Sequence, residues 1–237
     1  MNELRERVAM VTGAAGNVGS ALCAALAEHG ARLAMLDHDA EALDRTASQM
    51  PAGADFATFT VDLIDPASVG AATRAAHAHF GRIDFLANVA GGFSMGPELQ
   101  DTDDATWDLM MDLNARSVFN TCRAVLPMMR DAGSGRIVTV AARAALAGKA
   151  RMGPYCASKA AVITLTETLA EESKHHGVNV NCILPGTVDT PQNRQAMPDQ
   201  DHDTWVPPGA LADVMLFLMS DAARCVTGAA VPVYGRS

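Results

Sequence analysis

The sequence has no excess of positive charge, no long apolar run and no grouped metal ligands, and each absence removes a class of function. Its 18 Lys and Arg against 27 Asp and Glu give a formal net charge of -9. That balance argues against nucleic acid or an anionic membrane as the main partner, because phosphate-rich surfaces need a basic face. A local basic site for one phosphate group is compatible with the sum. No apolar run approaches the roughly 20 residues that cross a bilayer. The first residues, Met1-Asn2-Glu3-Leu4-Arg5-Glu6-Arg7, are charged and lead straight into an apolar strand, so no signal peptide is read there. The five cysteines, Cys23, Cys122, Cys156, Cys182 and Cys225, are scattered, odd in number and without Cys-x-x-Cys spacing. Buried reduced thiols are expected, and with them a cytoplasmic location. His, Cys, Asp and Glu show no metal-ligand spacing, so no metal is expected.

What is present is an ordinary globular balance of 49% hydrophobic and 19% charged residues over 237 positions, enough for the core of one α/β domain spanning 1–237. Short β-branched or apolar runs alternate with longer helical patterns, the mark of parallel strands joined by crossover helices. Strands are predicted at Val8–Thr12, Arg32–Asp37, Asp55–Val61, Phe85–Asn88, Arg136–Val140 and Asn179–Leu184, with a last one near Val231–Tyr234. Predicted helices include Val18–Glu28, Pro66–Phe80, Thr106–Met129, Tyr155–His175 and Ala210–Met219. The expected fold class is α/β, a doubly wound parallel sheet with helices on both faces. Ligands of such sheets sit beyond the carboxyl ends of the strands. Loops after Thr12, Asp37, Val61, Asn88, Val140 and Leu184 should therefore share one crevice.

Thr12-Gly13-Ala14-Ala15-Gly16-Asn17-Val18-Gly19 closes the first strand and opens a helix. Glycines let a backbone turn tightly against a pyrophosphate, and the helix start offers it free N–H groups. The alternative is a structural βα turn. The second strand ends in Asp37, about 20 residues beyond the glycines, where a carboxylate takes both ribose hydroxyls of NAD and repels the extra phosphate of NADP. Neither Arg nor Lys stands at Ala14, Ala15, Asn17 or His38 to rescue that phosphate, so NAD is favoured over NADP; the alternative is that Asp37 only caps a turn. Asp62-Leu63 is a candidate adenine contact, or simply a turn.

Tyr155 and Lys159 lie four apart near the start of a helical segment, which puts both side chains on one face. An ammonium beside a phenol favours the phenolate and is expected to lower its pKa, making the tyrosine a usable acid/base. The lysine can also hold a cofactor ribose. With the upstream glycine turn, these residues make the whole chain resemble a short-chain dehydrogenase/reductase, a Rossmann-type oxidoreductase family. Further residues that carry the resemblance are Asp62, Asn88-Val89-Ala90-Gly91, Asn114, Tyr155-Cys156-Ala157-Ser158-Lys159 and Pro185-Gly186. The resemblance implies that Asn88, Ala90 and Gly91 support the sheet and line the cofactor. It implies that Asn114 anchors a water in a proton relay through Lys159, and that Pro185, Gly186, Val188 and Thr190 position the nicotinamide. For Asn114 the alternative is a helix-interior amide bonded to backbone. A homodimer or homotetramer is implied as well.

Two departures from the family pattern stand out. The middle glycine falls at Gly16 where the common pattern has it at position 17, here Asn17. The serine expected at position 142 is Ala142, which cannot donate a hydrogen bond to a carbonyl or oxyanion, a contribution on the order of 3 kcal/mol in a preorganised site. Quinonoid dihydropteridine reductases within the family also lack that serine. The chain resembles them at Trp107-Asp108-Leu109-Met110-Met111, at Asp189-Thr190-Pro191-Gln192-Asn193-Arg194, and at Met197-Pro198 and Trp205.

The segment 191–209 is polar, and its prolines are expected to limit regular helix. It is a candidate substrate-side loop, with Asn193, Arg194 and Trp205 as substrate contacts; equally, Arg194 and Trp205 pin the loop to the body. Ser94, in Gly91-Gly92-Phe93-Ser94, is the nearest candidate for the missing hydroxyl. The reading is an NAD(H)-dependent oxidoreductase moving a hydride to or from a small carbonyl, alcohol or conjugated imine. The alternatives are a dihydropteridine reductase-like enzyme and a non-catalytic NAD-binding or sensing protein.

Overall fold

A computed structural model describes residues 4–236. Met1, Asn2 and Glu3 of the charged first segment, and Ser237, lie outside the described residues. Seven parallel strands form one sheet in the order β3-β2-β1-β4-β5-β6-β7. They are β1 (Val8–Thr12), β2 (Arg32–Asp37), β3 (Phe56–Thr60), β4 (Phe85–Asn88), β5 (Gly135–Val140), β6 (Val178–Pro185) and β7 (Ala230–Val233). The helices between them are α1 (Asn17–Glu28), α2 (Ala40–Ser48), α3 (Pro66–Phe80), α4 (Asp104–Met110), α5 (Ser117–Asp131), α6 (Gly153–Ser173), α7 (Pro191–Ala196) and α8 (Pro208–Met219). Winding reverses between β1 and β4, which pair Thr12 with Asn88 at their carboxyl ends. That is where a ligand crevice opens in such a sheet.

The central strands are apolar along their length because both faces are covered. On one face Met10, Leu36, Leu86, Ile137 and Leu184 pack with Val69, Val118, Val125 and Val162 of α3, α5 and α6. On the other, Val11, Leu33, Met35, Val138 and Ile183 pack with Leu22, Leu26, Leu43, Leu211 and Met215 of α1, α2 and α8. Each fully buried side chain of this size contributes about 1.5–3 kcal/mol.

The structure departs from the sequence reading in four places. The predicted helix 106–129 is two helices joined by a π-helical turn, Met111–Arg116. Helix α2, capped by the Asp39 side chain on the Ala42 N–H, buries only Leu43 and Thr46, too faint a stripe to mark it. Proline does not suppress helix in 191–209. Pro191 starts α7 and Pro208 starts α8, since proline lacks only an N–H that the first turn leaves unpaired and its φ suits that position. Finally, four cysteines are buried thiols but Cys225 is exposed.

Candidate active site

The glycine turn is built by two contacts that no side chain allows. Gly13 has φ +65°, and a β-carbon there would lie 2.8 Å from the Ala90 Cα; one at Gly19 would lie 2.0 Å from the Gly13 carbonyl oxygen. Gly16 is different. It has an ordinary extended conformation (φ -77°, ψ 169°), and a β-carbon there would meet only the Gly13 oxygen, at 3.3 Å. Asn17 is the exposed first residue of α1, so the shifted middle glycine leaves the turn intact. No side chain caps α1. The N–H groups of Asn17, Val18 and Gly19 thus open the helix without an intrahelical acceptor, as an anion site requires. Ala15 N–H donates to Asp37 Oδ2 at 3.1 Å, and His38 N–H donates to Asp37 Oδ1 at 2.8 Å. The Asp37 carboxylate is buried against the glycine turn. Exposed Asp62 accepts from Ile64 N–H, and Asn120 donates to the Leu63 carbonyl.

One residue the sequence reading did not single out joins the two sides of the crevice. Buried Thr12 accepts at Oγ1 from the N–H groups of Val89 (3.2 Å) and Ala90 (3.3 Å), tying the end of β1 to the loop after β4. Asn88 does not point its amide into the crevice. It donates to Thr139 and accepts from Thr121, bracing β4 against β5 and α5.

Tyr155 and Lys159 project from the first turns of α6. Lys159 is buried and donates from Nζ to the Val140 carbonyl (2.8 Å) at the end of β5. Asn114, on the π-helical turn, is fully buried. Its Oδ1 accepts from Gly92 N–H (3.0 Å), and its Nδ2 donates to the Gly92 carbonyl (3.1 Å) and to Ser158 Oγ (3.0 Å). Ser158 in turn donates to the Tyr155 carbonyl. Gly91 sits between these groups: a β-carbon there would lie 2.7 Å from Asn114 Oδ1 and 3.1 Å from Lys159 Nζ. Tyr155, Lys159, Asn114 and Gly91 are therefore one cluster, and Ala90 connects it to Gly13.

The phenol pKa moves opposite to the sequence expectation. Burial pushes Tyr155 up to about 12, and burial also pulls Lys159 down to about 8. Both charged forms lose water, and that loss is the largest cause of each shift. Ala142 is buried beside this cluster, at 6% exposure, where the hydroxyl was missed. Half-buried Ser94 lies on the adjoining segment, and its hydroxyl has no hydrogen-bond partner among the described residues.

At the end of β6, Pro185 is buried, and Gly186 N–H donates to the Val233 carbonyl. Val188 pairs with Val206. Thr190 caps α7, and Asn193 donates to the Val188 carbonyl. Arg194 grips Asp189 with two bonds of 2.5 and 2.7 Å, while Trp205 is buried against the His202 ring. These side chains are spent on the shape of the segment. Gln192 accepts from the Asn17 amide at 3.1 Å, so α7 meets the glycine turn across the crevice.

A family model described as short chain dehydrogenase matches residues 7–201. D-threitol dehydrogenase of Mycolicibacterium smegmatis is 37% identical, over 97% of this chain and 92% of its own. 2-(S)-hydroxypropyl-CoM dehydrogenase 3 of Xanthobacter autotrophicus is 32% identical, over 99% and 97% respectively. The crystal structure of NAD+-bound xylitol dehydrogenase superposes with a TM-score of 0.91 at 29% identity, covering 98% of this chain and 99% of that one.

Proposed function

We propose, from the premise that this chain belongs to the short-chain dehydrogenase/reductase family and is an NAD(P)-dependent oxidoreductase, that it interconverts a secondary alcohol and its ketone with NAD(H) as coenzyme and Tyr155 as acid/base. The observation that carries this reading is the continuity of the cluster: Lys159 and Asn114 flank Gly91, and the neighbouring Ala90 packs on Gly13 of the phosphate turn.

The chain's own residues fit the coenzyme. Gly13 and Gly19 leave room for a pyrophosphate, the uncapped start of α1 offers it the Asn17, Val18 and Gly19 N–H groups, and the Asp37 carboxylate suits a ribose diol. Gly16 and Ala15 complete the turn, Asp62 and Leu63 border the adenine end, and Pro185, Gly186, Val188 and Thr190 border the nicotinamide end. NAD+, when bound, takes up the hydride. In the oxidation direction Tyr155 Oη accepts the hydroxyl proton, and Lys159 as an ammonium stabilises the phenolate and holds a ribose hydroxyl. Asn114 keeps the Gly92 loop and Ser158 in place beside Lys159, where a relay water would pass the proton outward. We place the enzyme in the cytoplasm, on its buried thiols, and as a homodimer or homotetramer, on its family.

The coenzyme assignment has a direct test. A second charge near a buried carboxylate costs about 2 kcal/mol, or ~30-fold. kcat/KM with NAD+ is therefore expected to exceed that with NADP+ by ~30-fold or more, and Asp37→Ala is expected to bring the two towards parity. A wild-type preference for NADP+ would overturn the role given to Asp37.

A further inference from the structure

Phe93 is 61% exposed, yet its ring is held edge-on against Tyr155, with centroids 4.9 Å apart and planes at 80°. Two more large apolar side chains stand exposed on the same segment, Met95 at 62% and Leu99 at 69%. Exposed apolar groups collected beside a reactive side chain mark a binding surface.

The segment is fixed, not loose. Asn114 holds Gly92 by two bonds. Gly96 N–H donates to the Arg151 carbonyl (3.0 Å), and Arg151 Nε donates back to the Gly96 carbonyl (2.7 Å). Leu99 reaches the start of α6, its Cδ1 3.1 Å from where a Gly153 β-carbon would sit. The run is thus clamped over the first turn of the helix that carries Tyr155.

Its chemistry is one-sided. From Gly91 to Pro97 the sequence Gly-Gly-Phe-Ser-Met-Gly-Pro holds no charged side chain and one hydroxyl, Ser94. Ala142 removes the hydroxyl that a polar substrate would meet beside Tyr155. Resting on the dehydrogenase reading above, we propose that the substrate is a carbinol or ketone whose reacting carbon bears an apolar ring, seated on Phe93, Met95 and Leu99, and not a polyhydroxylated chain. A ring displaces water from these side chains, whereas each polyol hydroxyl brought there without a partner costs roughly tenfold or more.

The test uses the full chain with NAD+ and three alcohols: an aryl methyl carbinol, cyclohexyl methyl carbinol and glycerol. kcat/KM for the two ring alcohols is expected to exceed that for glycerol by ~100-fold or more, and Phe93→Ser is expected to lower that ratio by ~10-fold. Met95→Ser gives the same readout should Phe93→Ser fail to fold. Glycerol turned over as well as the ring alcohols would overturn the substrate class and leave the dehydrogenase reading standing. NADH binding without turnover of any alcohol, or of the matching ketones with NADH, would sink both. An unchanged ratio in both variants would overturn the inference, and an accompanying change of oligomeric state by light scattering would identify the Phe93–Leu99 segment as a subunit contact.

Discussion

Phenylalanine at position 155 is expected to lower kcat for alcohol oxidation by about 10²–10⁴-fold, the range that a positioned acid/base supplies. The change in the NADH dissociation constant should be far smaller. The structure makes this a clean substitution. No protein group among the described residues hydrogen-bonds the Tyr155 hydroxyl, so its removal orphans no partner. A phenylalanine ring keeps the edge-on contact with Phe93. The loss should be severe because Ala142 brings no hydroxyl to share the work. Stopped-flow NADH formation with a secondary alcohol, alongside fluorescence titration of NADH, separates the two quantities. A kcat within tenfold of wild type would show that Tyr155 is not the acid/base.

Alanine at Gly19 is expected to weaken NADH binding by ~100-fold or more, whereas alanine at Gly16 should change it little. The β-carbon at Gly19 would lie 2.0 Å from the backbone oxygen of Gly13, and backbone cannot swing aside as a side-chain tip can. Relieving the clash must move Gly13 or the first turn of α1 by more than an ångström, and with it the N–H groups meant for the pyrophosphate. Gly16 already has an extended φ, and its β-carbon would meet the same oxygen at 3.3 Å, which a few tenths of an ångström relieves. Titration of both variants with NADH measures the contrast; circular dichroism checks that Gly19→Ala remains folded. Equal binding by the two variants would mean that the turn does not cradle the coenzyme.

The contrast explains how the shifted glycine reads in physical terms. The sequence departs from the common family spacing at Asn17, but the geometry demands glycine at 13 and 19, and both are present. Strand ends and the shared helix face of Tyr155 and Lys159 were legible because periods of two and 3.6 residues place side chains without reference to the rest of the chain. Asn114 was legible as a residue but not as a geometry: a π-helical turn has the same composition as the helix around it, and it is this turn that carries Asn114 between Gly92 and Ser158. The direction of the Tyr155 shift was hidden for a different reason. Spacing reveals the charge nearby but not the burial, and burial sets the pKa here. Asn88 braces β4 as the resemblance implied, and the burial of Trp205 favours the alternative in which it pins its loop.

If Tyr155 is the acid/base, the coenzyme must help to ionise it. With Tyr155 near 12 in the protein alone, almost no phenolate exists at mildly alkaline pH. A bound nicotinamide cation would favour the ionised form. The measurement that bears most directly on Tyr155 is therefore phenolate absorbance in the near ultraviolet, at that pH, as NAD+ is added. The chain has two tyrosines, Tyr155 and Tyr234, and Tyr155→Phe removes one of them. The expected result is a saturable rise in phenolate on adding NAD+ to the wild type, and none in Tyr155→Phe. No rise in the wild type, or an equal rise in the variant, would contradict Tyr155 as the acid/base beside NAD.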